Sequence, residues 1–155
     1  MEYSGFIKLL EPAINILNGQ NEEFKSKFGK GMFSFQKATL EELNKLATNN
    51  NIEIPNFYKS FLVDNNPKRF EIMFHGLLGL DEITSAINRI GSVQLVNSEC
   101  LPIMTDGSGN YFCIKKNDKT LYIADHEQNY KIQAFDSLSL LLSRLVEEKV
   151  NEYRT

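Results

Sequence analysis

Residues 101 to 116 read LPIMTDGSGNYFCIKK, and they restrict the fold more than any other stretch of the chain. Two apolar runs of strand type, 101 to 105 and 110 to 115, flank a short loop of Asp106, Gly107, Ser108, Gly109 and Asn110. That arrangement predicts an antiparallel hairpin. Whether its loop also binds a ligand separates a metal protein or an enzyme from a binding module.

The loop opens like a calcium site, with oxygen-bearing side chains at Asp106, Ser108 and Asn110 in the first, third and fifth positions. It then departs from one: Tyr111 stands where glycine makes the sharp turn, and Asn117 where a bidentate glutamate closes the shell. Strands flank it rather than helices. A phosphate cradle fits no better, because the loop leads into a strand and lacks a Gly-Lys-Ser/Thr ending. The glycines supply the positive φ angles a tight turn requires. If Thr105 pairs with Asn110, Cys113 falls opposite Pro102 and Cys100 opposite Lys115, so the thiols do not face each other and both are expected reduced. Cys113 lies among apolar neighbours as a core residue, with no base beside it to make it a nucleophile.

Elsewhere, period and punctuation set the elements. Phe6, Leu9, Leu10, Ala13, Ile14 and Leu17 recur at helical spacing over residues 5 to 17, whereas residues 18 to 38 lack a clear period and are expected as a loop. Phe28, Phe33 and Phe35 in that loop are placed to close over the core. Thr39 and Glu42 form a capping box ahead of a helix whose inner stripe is Leu40, Leu43, Leu46 and Ala47. Pro55 opens a third helix with Tyr58, Phe61 and Leu62 inward. The run RFEIMFHGLLGL is expected as one strand and DEITSAINRI as a short helix. Strands follow near residues 92 to 96, in the hairpin, and at 120 to 125, before a closing helix with Leu138, Leu141, Leu142, Leu145 and Val146 on one side. Helices, then strands, then a helix imply an α+β fold, a mostly antiparallel sheet flanked by helices.

A chain of 155 residues that is 42% hydrophobic and 24% charged suits a single domain over residues 1 to 155. Its net charge of -3 and dispersed basic residues argue against a nucleic-acid footprint, while an acidic surface suits a basic protein partner. The N-terminus carries Glu2, Lys8 and Glu11 among its apolar residues, unlike a signal peptide, and no stretch is apolar enough to span a bilayer, so a soluble cytoplasmic protein is expected.

Asp125, His126 and Glu127 gather three polar groups where a strand ends, a set able in principle to hold a metal or transfer protons. Neighbours along a strand point to opposite faces, however, and such side chains commonly bond the local backbone. His75 before Gly76 reads as a turn histidine. Two histidines exclude a multi-histidine metal site, and no Gly-x-Ser-x-Gly elbow occurs. No catalytic residue, cofactor or metal is expected.

One resemblance unites these pieces. TLEELNKLATNNNIEIPNFYKSFLVDNN, then GLLGLDEI, then LPIMTDGSGNYFCI ahead of LYIADHE, resemble in order and spacing the SUKH superfamily of bacterial toxin-immunity proteins and fungal cell-wall-assembly regulators. The similarity covers residues 39 to 155, with 1 to 38 adding an N-terminal helix and loop. It implies a SUKH-like fold in which the loop turns between central strands. It further implies a protein partner, a cognate toxin such as a nuclease or another polymorphic-toxin domain, bound by occlusion of its active surface. The resemblance also admits a regulatory scaffold of the fungal kind; a hydrolase using Asp125 and His126 is the third reading. Loops on a rigid sheet are where small domains carry binding groups. The expected contact patch is therefore Asp106, Asn110, Tyr111, Asp125, His126 and Glu127, all taken as exposed, on a monomer or weak dimer.

Overall fold

The computed structural model describes every residue from Met1 to Thr155. It is an α+β protein of six α-helices and eight strands.

Helix α1 spans Tyr3–Phe28 and buries Phe6, Leu10, Ala13 and Leu17. It therefore continues through half of the expected loop. Period is lost after Leu17 because this end of the helix meets little core. Nothing stops it before Gly29, whose left-handed φ of 81° ends the helix with its N–H on the Lys25 carbonyl. Lys25 and Lys27 in the last turn suit the negative end of the helix dipole. Phe28 is left 65% exposed, while Phe33 and Phe35 pack on Phe70 at 5.0 and 4.9 Å between ring centres. Asn21 secures the returning chain, its amide oxygen accepting from Phe33 N and its nitrogen donating to Phe33 O.

Strand β1 (Ser34–Gln36) pairs with β2 (Asn66–Lys68) in a separate two-stranded sheet. Between them lie α2 (Leu40–Asn50) and α3 (Asn56–Asn65). The expected capping box opens α2: Glu42 N donates to Thr39 Oγ1 at 3.1 Å and Thr39 N to Glu42 Oε1 at 3.0 Å. Leu43 and Leu46 are buried, but Leu40 is 60% exposed because the first turn overhangs the core. In α3, Phe57, Tyr58, Phe61 and Leu62 are all buried, and Phe61 meets Phe6 at 5.1 Å and Tyr58 at 5.4 Å between ring centres.

The run expected as one strand is a hairpin, β3 (Phe70–Ile72) and β4 (His75–Leu77). Met73 and Phe74 form its two-residue turn, both at positive φ, 49° and 68°. No Asn-Gly signals that turn, so the apolar run looks unbroken in sequence. Helix α4 (Leu80–Ile90) follows as expected. Residues 92 to 96, expected extended, belong instead to helix α5 (Ser92–Ser98), set off from α4 by Gly91 at φ 101°. Over so short an apolar run, alternation and helical period are indistinguishable.

The chain then forms β5 (Cys100–Thr105), β6 (Tyr111–Lys115), β7 (Thr120–Asp125), a 3-10 turn at His126–Gln128, β8 (Lys131–Ser137) and α6 (Leu138–Arg154). Strand β8 escapes sequence reading because it is an edge strand that buries none of its seven residues fully. The six-stranded sheet runs β3-β4-β5-β6-β7-β8, antiparallel throughout. Cys100 lies opposite Lys115 and Cys113 opposite Pro102, as expected, and both thiols are free and buried. The register then slips at Ile103, so Thr105 pairs with Tyr111 rather than Asn110. A single core of 38 buried apolar residues joins the six-stranded sheet and all six helices, with Phe35 of β1 packed against it and α1 laid along α6.

Phe61 has no exposed surface in that core. Replacing it with Ala should remove about 3 to 5 kcal/mol of stability, and Phe61→Leu about 1.5 kcal/mol or less. Chemical denaturation of the two variants checks both values; a transition midpoint unmoved in Phe61→Ala would mean that α3 presents another face.

Candidate functional site

Because the strands alternate in direction, the three turns β3–β4, β5–β6 and β7–β8 emerge at one end of the sheet. They also touch. A Cβ on Gly107 would lie 2.9 Å from the Phe74 carbonyl oxygen, and one on Gly109 would lie 3.3 Å from the His126 ring. Both glycines have positive φ, 80° and 94°, so glycine serves the backbone conformation and the close approach together.

Asp106 organises the middle turn. Its Oδ1 accepts from Ser108 N at 2.8 Å and Asn110 N at 3.2 Å, and its Oδ2 from Asn110 Nδ2 at 2.9 Å. That last bond orients the Asn110 amide, leaving Asn110 Oδ1 to accept from His126 N at 3.0 Å and to meet His126 Nδ1 at 2.7 Å. Two acceptors cannot share that contact, so Nδ1 carries a proton and Nε2 is the free ring nitrogen. Asp106, Asn110 and His126 thus form one chain across two turns. Asp125 does a similar task locally: its Oδ1 accepts from Glu127 N at 3.0 Å and its carbonyl from Tyr130 N at 2.7 Å.

The structure therefore gathers the six expected residues at one end of the sheet but gives them different exposures. His126 and Glu127 are exposed, while Asp106, Asn110 and Asp125 are half-buried. Tyr111, expected exposed, is only 8% exposed. Tyr111 is the first residue of β6, paired with Thr105, and its ring packs beside Tyr130 at 6.1 Å. Burial pushes the Tyr111 hydroxyl pKa up, against the opposing pull of Arg89 on α4. His75, expected as a turn histidine, sets Nδ1 3.0 Å from the Met73 carbonyl and stacks on Phe112.

The feature missed in sequence is Phe74, 76% exposed at the tip of the first turn. Inside an apolar run a phenylalanine reads as core; only an unexpected two-residue turn there would have shown otherwise.

The chemistry open to these groups is limited. Asp125 binds backbone, so it does not orient the His126 imidazole as an acid–base partner. No three His, Cys, Asp or Glu side chains converge as metal ligands. Burial pushes the Cys113 thiol well up and raises Cys100 to about 11, so neither is a thiolate at neutral pH. A groove of about 850 Å³ exists at the opposite end of the sheet, between the end of α2, α5 and the β6–β7 turn. Its rim is bridged by Lys116 and Glu53 at 3.0 Å. No helix is long and apolar enough to cross a membrane.

An α+β domain with a capped helix, an Ile-Pro helix start and a central glycine-containing hairpin defines a class, and the family comparison agrees. The family model for the SMI1 / KNR4 family (SUKH-1) matches residues 37–144, and the chain belongs to that family. No curated protein matches it significantly. The matched span runs from just before the capping box into α6 and includes all three turns; all of α1 lies outside it. Membership places the chain among proteins that are generally non-catalytic and act through protein–protein contacts.

Two outcomes follow from the geometry. Asp106→Ala leaves three N–H groups without their acceptor and should cost roughly 1 to 2 kcal/mol, whereas millimolar calcium should leave the parent's melting temperature unchanged. Calorimetry finding a stoichiometric calcium site that Asp106→Ala abolishes would reverse that assignment. The two thiols should react slowly with a disulfide reagent at pH 8 in the native protein and at once in urea; fast native labelling would show that the sheet opens around them.

Proposed function

We propose that the protein is an immunity protein, acting in the cytoplasm, that binds a cognate bacterial toxin and occludes its active surface without chemistry of its own. The observation that carries this reading is the interlocked end of the sheet. Asp106 and Asn110 hold the middle turn and tie it to His126, so the groups left facing outward, His126 Nε2 and Glu127, sit on a preorganised support. A surface already ordered loses little entropy on binding. Turnover would require paired, reactive groups, and here Asp125 is engaged by backbone. A toxin cleft built for an anionic substrate would present basic groups, which Glu127 and the oriented imidazole would meet in the substrate's place. Complementary charge speeds association, and buried anchors set the lifetime.

The test is co-expression of the protein with the product of the gene immediately upstream, followed by co-purification and a growth assay. The expected result is a stoichiometric complex and rescue of growth. Glu127→Lys preserves every backbone hydrogen bond of the turn but reverses its charge. Its on-rate for the toxin should fall roughly 3- to 10-fold at low salt, and the deficit should shrink as salt rises. Association unchanged at both salts would move the contact surface elsewhere; several weak partners and no protection would favour the regulatory scaffold instead.

A further inference from the structure

Phe74 is the most exposed large apolar residue of the chain, and its φ of 68° is the largest positive value at any non-glycine residue. A two-residue hairpin turn with both φ angles positive favours Asn-Gly; here it is Met73-Phe74, at 49° and 68°. Side chains in left-handed backbone are destabilised, more so when bulky, and a burial gain would ordinarily offset that cost. Phe74 receives none, since three quarters of it faces solvent. Meanwhile the backbone beneath it is firmly seated. Its carbonyl lies against Gly107, where no Cβ fits, and the next residue, His75, stacks on the buried Phe112, which in turn meets Phe135 at 5.0 Å. A strained, supported, solvent-facing ring is poorly explained by the stability of the free protein.

Charge at this end of the sheet is mainly acidic. Residues 70 to 76, 104 to 111 and 123 to 130 contain Glu71, Asp106, Asp125 and Glu127 and no Lys or Arg. Two cations share this end, Lys131 opposite Asp125 in the ladder and Arg89 drawn toward Tyr111. At the opposite end, by contrast, Lys115, Lys116 and Lys119 surround the β6–β7 turn.

We propose that the three turns form one docking surface, anchored by Phe74, for a basic protein face that carries an apolar socket. This deepens and rests on the immunity reading, naming the surface chemistry its partner must have. Phe74 enters the socket, the Gly107 to Asn110 turn lies beside it, and Glu127 meets the surrounding cations. An aromatic side chain on a rigid turn is the residue type that dominates such interfaces, because it desolvates a large area and loses little freedom.

The experiment uses the full chain and, as probe, the protein encoded immediately upstream. Phe74→Gly removes the anchor and gives the turn the residue its backbone prefers. The free variant should melt about 2 to 6 °C higher than the parent, yet bind the probe roughly 30-fold or more weakly, with most of the loss in dissociation rate. Phe74→Tyr should restore binding to within a few-fold. Phe74→Gly that melts at or below the parent's temperature would overturn the claim that the ring is kept at a cost to stability. If the parent binds the probe and Phe74→Gly binds it equally, the anchor falls while the immunity reading stands. If the parent itself does not bind the probe, the immunity reading falls and takes the proposed partner with it.

Discussion

The carbonyl of Ile103 is where the architecture is decided. It accepts from Leu78 N at 2.8 Å and lies 3.2 Å from the Tyr58 hydroxyl, which donates more closely to Leu78 O at 2.5 Å. Tyr58 is fully buried, and burial raises its pKa well above the usual phenol range, so the hydroxyl stays a donor. Ile103 is also the extra residue of the bulge in β5. A bulge leaves its residue outside the regular ladder, and a buried carbonyl without a partner would cost about 1 to 3 kcal/mol. The hydrogen bonds from α3 and from the end of β4 make the bulge affordable.

The end of the sheet that carries the three turns depends on that slip. In an unbroken register Thr105 would pair with Asn110, and the turn would shorten to the four residues Asp106 to Gly109. With Ile103 bulged, Asn110 leaves the ladder and its side chain is free to join Asp106 to His126. The same slip changes the ladder partner of Tyr111 from Met104 to Thr105. One hydroxyl on the third helix thus bears on which side chains are engaged in the turns at the end of the sheet.

Much of the fold was legible because its strongest signals are local. The Thr39 and Glu42 box, the Pro55 helix start and the leucine stripe of α6 each need only a few neighbouring residues to act. Two other pieces of the family-like pattern acquire reasons only in three dimensions. Asn66 Oδ1 accepts from Leu80 N at 2.8 Å and so caps α4 from a distance, and a Cβ on Gly79 would fall 1.8 Å from the Pro67 carbonyl oxygen. Where the reading failed, the deciding force was non-local or absent. Leu40 has the right period but overhangs the core; β8 lacks a buried face; α5 is too short for its period to show; and the second half of α1 persists without burial because nothing stops it before Gly29.

The site residues divide along the same line. Asp106, Asn110, Asp125, His126 and Glu127 share one end of the sheet because hairpin turns at one end of an antiparallel sheet are neighbours. Type and position could not tell a side chain that makes the surface from one that presents it. Asp106 and Asp125 hold backbone N–H groups, Asn110 orients an imidazole, and only His126 and Glu127 are exposed. Phe74 is the reverse case, a residue of core type placed outside by a turn its sequence does not announce. Both errors have one physical origin. Hydrogen-bond partners and solvent exposure are properties of the register, and the register here is set by a bulge whose stabilising hydroxyl lies 45 residues away in the chain.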